Sequence, residues 1–172
     1  EKKIKMNLKF FAHMPIWLIK ERIDAMSKKL NYDIFNNFFK FGVVRNPFDA
    51  LISDYYWRNS IKNKNSQKIT FDEVLNELES NQYTMYGPLN LNKLMDKNLE
   101  NILCDKIIKY EDLEKDLSAI FKNLNIPFND GLNIFKKKSD RIGDYKKFYN
   151  KKSIRLVEDI FWKEIEMFNY KF

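Results

Sequence analysis

Arg45 stands at the end of an apolar, strand-like run, Phe38 to Val44. Asn46-Pro47 follows at once, and then a helical pattern that carries Ser53. A guanidinium is a planar fork of donors suited to phosphate oxygens. A helix N-terminus directly behind it would add backbone N–H groups and the positive end of the dipole. Asn46 is a capping residue type, Pro47 suits the first helical position, and Asp49 falls in the first turn. Helical spacing puts Asn46, Asp49 and Ser53 on one polar face, and Phe48, Leu51, Ile52 and Tyr55 on an apolar one. This pattern is a place to hold an anion of phosphate type. The competing reading pairs Arg45 with Asp49 and leaves Ser53 merely exposed.

Other groups with chemical potential are few. His13 is the single histidine and follows a short β-like run, Leu8 to Ala12. An imidazole there can take up a proton near neutral pH, or can simply bond backbone at a strand end. Tyr110, Glu111 and Asp112 follow a third apolar run, Ile102 to Lys109. In an open parallel sheet, ligands bind beyond the carboxyl ends of the strands. His13, Arg45 and the 110–112 trio are therefore expected on one rim, although Glu111 and Asp112 also suit the N-terminus of the next helix. Cys104, the single cysteine, lies in an apolar stretch and reads as a buried, inert thiol. One His and one Cys without ligand spacing give no basis for a metal site. Lys136 to Lys138, Lys146-Lys147 and Lys151-Lys152 could steer a polyanion or form an ordinary solvated surface.

The elements that must position these groups follow from pattern. Strand-helix units are expected over residues 8–26, 38–57 and 102–125, which argues for an α/β layered fold with a mainly parallel sheet. Thr70-Phe71-Asp72-Glu73 is a capping box that opens a helix with Phe71, Val74, Leu75 and Leu78 inward. Leu113 to Leu124 forms an amphipathic helix ending before Pro127, and a last helix carries Ile154 through Phe168. The chain has 172 residues, 44% hydrophobic and 32% charged, the balance of one globular domain. Its net charge of +7 favours anionic partners. No apolar run reaches the roughly 20 residues needed to span a bilayer, and no secretory leader is visible.

In this order the residues resemble the carbohydrate sulfotransferases that use 3′-phosphoadenosine-5′-phosphosulfate (PAPS). The likeness begins at His13-Met14-Pro15 and the helix through Arg22. It continues with Phe39 through Trp57, which resembles the family's 3′-phosphate-binding element. Ile107 to Leu113 with Leu124-Asn125-Ile126-Pro127 is similar to the late strand-helix unit. Lys138-Ser139-Asp140-Arg141, Asp144-Tyr145 and Phe148-Tyr149 resemble the loop that closes over the nucleotide. Phe161 through Phe172 resembles the family's terminus.

The resemblance implies a P-loop NTPase-like α/β sulfotransferase fold, with residues 1–172 as one partial domain. It implies sulfuryl transfer from PAPS to a hydroxyl of a carbohydrate-type acceptor. Arg45 and Ser53 would hold the 3′-phosphate, Arg141 would lie near the nucleotide, and His13 would be the candidate base. Two departures are visible. No Pro-Lys-x-Gly turn for the 5′-phosphosulfate is present, and Gly42, Gly87, Gly131 and Gly143 all lie elsewhere. The first strand and that loop are therefore expected to be cut off with the N-terminus, leaving the chain inactive alone. Ala50 stands where relatives commonly carry Arg, so one cofactor contact or ion pair is expected to be missing. A bacterial cytoplasm is the favoured compartment, with the Golgi lumen the alternative for an animal protein. The alternative function is a non-catalytic basic module that binds nucleic acid or acidic glycan through its lysines.

Overall fold

The structure, a computed structural model, describes residues 14–61, 67–80, 91–128 and 144–172. The strand expected at 8–12, His13, Arg141 and Lys136 to Lys138 lie outside the described residues. The chain divides into two compact units: Glu1–Gly42 with Leu91–Ile107, and Val43–Asn90 with Ile108–Phe172.

In the first unit, helix α1 (Ile16–Leu30) opens behind Pro15. It stops where Asn31 turns left-handed at φ 50° and returns its N–H to Ser27 O. Lys28 and Lys29 lie in the last turn, at the negative end of the dipole. A short helix α2 (Ile34–Asn37) follows, capped by the Asp33 carboxylate, which accepts the Asn36 N–H at 3.1 Å. Those bonds from Asn36 hold the Asp33 carboxyl below its usual range.

The strand expected from Phe38 contracts to β1 (Phe41–Val44). Phe38 and Phe39 stand exposed, so their aromatic character reflects no burial. The run from Ile102 contracts likewise to β2 (Lys106–Lys109). Ile102 instead forms an antiparallel bridge with Met95. The Asp96 carboxylate closes this turn by accepting the N–H groups of Glu100 and Asn101 at 2.9 and 3.1 Å. Lys40 begins the pairing: its carbonyl accepts from Asp105 and Lys106 N–H, and its ammonium pairs with Asp105 at 2.9 Å. Gly42 leaves room for the Leu94 side chain, which a larger residue would push aside. A Cβ at that position would lie 2.4 Å from Leu94 Cδ1.

β1 and β2 form the sheet found among the described residues, a small parallel one. The expected larger parallel sheet is not seen within those residues. Each strand leads into the second unit, and each ends at a helix.

That unit is organised on α3 (Pro47–Ile61). Phe48, Leu51 and Ile52 are buried as the spacing requires, and they pack with Phe71, Val74, Leu75, Leu78, Val157 and Phe161. Each such burial stabilises the fold by about 1.5–3 kcal/mol. Helix α4 (Phe71–Glu79) supplies four of these side chains behind its capping box, in which Thr70 and Glu73 exchange hydrogen bonds. α4 is tied to α3 by Arg58, whose two Nη atoms meet both oxygens of Glu77 at 2.8 and 2.7 Å. Asn59 pins the approach to α4 by bonding both backbone groups of Ile69.

Helix α5 (Leu113–Asn123) buries Leu117 and Ile120 against Ile108. The expected long last helix is broken into α6 (Lys151–Ile160) and α7 (Trp162–Phe168). Phe161 makes the break: its backbone leaves helical geometry at φ −105°, ψ 25° while its ring stays in the core. No helix among the described residues is long and apolar enough to cross a membrane.

Cys104 is half-buried in the first unit. Burial and then the neighbouring Asp105 charge push its thiol from 9.0 up to about 11. The folded state therefore holds this proton more tightly than the unfolded chain, and stability falls as pH rises from 9.0 toward about 11. At pH 8, the native thiol is expected to alkylate with iodoacetamide about a hundredfold more slowly than the thiol of the urea-unfolded chain. Equal rates would contradict this environment.

Candidate functional site

Val44 ends β1 with its side chain fully buried, and α3 begins three residues later. The chain must turn sharply between them, and Arg45 and Asn46 form that corner. All four polar groups of Asn46 are held, its carbonyl by the Ala50 N–H at 2.9 Å. Its N–H donates to Glu111 Oε1 at 2.7 Å, its Oδ1 accepts the Phe48 N–H at 3.1 Å, and its Nδ2 donates to the Lys171 carbonyl at 3.2 Å. Asn46 thus caps α3, as expected. The same bonds change the expected anion cradle, because the Asn46 and Phe48 N–H groups are already spent on protein acceptors.

Arg45 is held twice. Nε and Nη2 both meet Asp49 Oδ2, at 2.7 and 2.5 Å. The guanidinium also lies over the Tyr110 ring, 4.3 Å from its centroid. The Arg45–Asp49 pair of the competing reading is therefore present. Nη1 makes no hydrogen bond among the described residues. Both side chains of the pair are mostly covered, at 18% and 17% exposed, and this limits solvent screening.

Ser53 lies one helical turn beyond Asp49, about 6 Å along the axis of α3. It is half-buried, and its hydroxyl makes no hydrogen bond to the described residues. Asp49 and Ser53, four residues apart, share one face of α3, and Arg45, ahead of the helix, reaches back to Asp49. Ala50, next to Asp49 on α3, is buried, so a long cationic side chain there would have to displace its neighbours.

The 110–112 trio behaves differently from a simple helix cap. Asp112 precedes α5 without a side-chain capping bond. Tyr110 supplies the ring beneath Arg45. Glu111 spans two donors, the Asn46 N–H through Oε1 and the Tyr170 hydroxyl through Oε2 at 3.3 Å. The C-terminal residues complete the corner: Lys109 Nζ donates to the Phe168 carbonyl at 2.6 Å, and Phe172 packs on Phe48 with ring centroids 5.0 Å apart. None of these tail contacts was expected. A terminal segment of aromatic and lysine residues gives no local sign of which backbone groups it will meet.

Three phenols ring the α3 N-terminus. Tyr149 donates to the Phe48 carbonyl at 2.7 Å. Burial, and then the Asp49 charge, push Tyr145 and Tyr149 above the usual range. Tyr170 is raised by burial and then by Glu111. All three remain protonated at neutral pH. Among the described residues no cluster of His, Cys, Asp and Glu could hold a metal ion.

A sequence profile described as the sulfotransferase family matches residues 2–171. The chain belongs to the sulfotransferase family. It is 32% identical over 117 residues to an uncharacterized protein of Archaeoglobus fulgidus, covering 66% of this chain and 84% of that one. It is 26% identical over 130 residues to cytosolic sulfotransferases 14 and 15 of Arabidopsis thaliana, covering 70% of this chain. The chain spans only 34% and 32% of those two plant proteins. No solved structure matches it.

Within this family member, Asp49 is the charge that Arg45, Tyr145 and Tyr149 share. Asp49→Asn removes that charge and leaves the burial of the rings in place. Tyr145 and Tyr149 are expected to ionise at lower pH in the variant than in the wild type, followed by phenolate absorbance. An unchanged titration curve would show that Asp49 does not govern this corner.

Proposed function

We propose that the chain binds the 3′-phosphate end of PAPS at the start of α3 and takes part in sulfuryl transfer to a carbohydrate-type hydroxyl. The carrying observation is that Arg45 Nη1, just ahead of α3, and the Ser53 hydroxyl, one turn past Asp49, make no hydrogen bond among the described residues. A guanidinium edge and a hydroxyl are the donor set a phosphate dianion needs. Membership of the sulfotransferase family supports this reading over a loose basic module, since lysine-driven binding requires no fixed offsets from Arg45.

When bound, the cofactor supplies the sulfuryl group. In this reading Arg45 and Ser53 fix its nucleotide end without touching the sulfur. Arg141 lies against the nucleotide. His13 accepts the proton that the acceptor hydroxyl gives up as its oxygen bonds to sulfur. A P-loop-like frame and a cytoplasmic setting belong to the same proposal. The first is supported by the small parallel sheet, and the second by the names of the plant relatives.

Asp49 sets the strength of the site. Its carboxylate orients the fork and also opposes an incoming anion, so Arg45 alone is a modest trap. Calorimetric titration with adenosine 3′,5′-bisphosphate is expected to show affinity reduced about 30-fold or more in Arg45→Ala and about 5- to 10-fold in Ser53→Ala. Wild-type affinity in Arg45→Ala would contradict the assignment. With the phosphosulfate loop present, His13→Ala is expected to lower turnover by about 10²–10⁴-fold, and unchanged turnover would remove His13 from the reaction.

A further inference from the structure

We propose that Glu111 is a positioning residue for the anion site: its carboxylate, bonded at once to the Asn46 N–H and the Tyr170 hydroxyl, fixes the corner from which Arg45 reaches its ligand. The inference rests on the 3′-phosphate reading of Arg45 given above. It assigns a role to a residue that does not itself touch the cofactor.

The geometry supports it at two consecutive positions. Arg45 lies over Tyr110, and the next residue, Asn46, bonds the next residue, Glu111. The corner after β1 is thus docked on the corner after β2 through one ring contact and one hydrogen bond. The backbone at Asn46 sets the point from which the Arg45 side chain extends over Tyr110. The 2.7 Å bond to Glu111 Oε1 is the contact that holds this point from the 110–112 turn. The second oxygen, at 3.3 Å from Tyr170, ties the same carboxylate to the C-terminal segment. Lys171 O, which accepts from Asn46 Nδ2, meets the corner from the same segment.

A second carboxylate beside Arg45 is electrostatically adverse for an anion site. Asp49 is compensated by direct pairing with the guanidinium. Among the described residues Glu111 forms no ion pair; its two oxygens go to a backbone N–H and a phenol. Shape and hydrogen bonding, not charge, are therefore what Glu111 contributes. This separates two substitutions that a purely electrostatic role would not. In Glu111→Gln the amide oxygen still accepts the Asn46 N–H, and the amide NH2 can donate to the Tyr170 oxygen. In Glu111→Ala both bonds are lost.

The test measures adenosine 3′,5′-bisphosphate affinity by calorimetry, with melting temperature recorded in parallel, on the whole chain. Glu111→Ala is expected to bind about tenfold more weakly, and Glu111→Gln as tightly as wild type or tighter. Tyr170→Phe removes a single bond and is expected to weaken binding about threefold, and it serves if Glu111→Ala does not fold. Wild-type affinity in folded Glu111→Ala, whatever its melting temperature, would overturn the proposal, and so would wild-type affinity in Tyr170→Phe. Equal weakening by Gln and Ala would overturn it too, since charge would then be the cause. Arg45→Ala separates the two levels. If it binds like wild type, the 3′-phosphate reading fails. If it loses binding while Glu111→Ala does not, only the positioning role fails.

Discussion

A single strand-to-helix corner carries the rest of this structure. Val44 must be buried in the sheet, and Phe48 must be buried under α3, with only Arg45, Asn46 and Pro47 to turn the chain between them. Proline brings no N–H to satisfy, and the asparagine has all four of its polar groups bonded. The turn is therefore closed by hydrogen bonds from three parts of the chain: α3 itself, the turn after β2, and the C-terminal segment. Arg45 is carried by this corner, and its guanidinium inherits the corner's rigidity. The aromatic packing of Phe48, Tyr149 and Phe172 sits directly behind it.

The electrostatics of the corner are balanced, not simply positive. Arg45 is matched by Asp49, and the phenols around α3 are kept protonated by burial and by that same carboxylate. A fully paired guanidinium would be a structural brace. One with an Nη1 that bonds none of the described residues can, in the proposed reading, serve as brace and donor together. The net charge of +7 adds a long-range attraction for anions that no individual pair supplies.

Much of this corner was legible in the residues themselves. Asn46-Pro47 marked the helix start, the spacing of Phe48, Leu51 and Ile52 marked its buried face, and Thr70 with Glu73 marked the next cap. These are local signals, set within one or two turns of chain. Strand lengths were over-read, because Phe38, Phe39 and Ile102 have strand-forming character but are exposed or used in a bridge. The break at Phe161 was invisible because apolar spacing continues through it. The role of Glu111 was missed for a related reason. Its partners, Asn46 and Tyr170, lie 65 and 59 residues away, and an acidic residue before a helix already has a local explanation. The Arg45–Asp49 pair and the anion site looked like alternatives in sequence, but a guanidinium has enough donors for the first without excluding the second.

A crystal structure of the chain with adenosine 3′,5′-bisphosphate bound is the most direct test. The account expects the 3′-phosphate within hydrogen-bonding distance of Arg45 Nη1 and Ser53 Oγ, with Asp49 still on Nε and Nη2. A nucleotide bound elsewhere, with the Arg45 edge and the Ser53 hydroxyl facing only solvent, would contradict it.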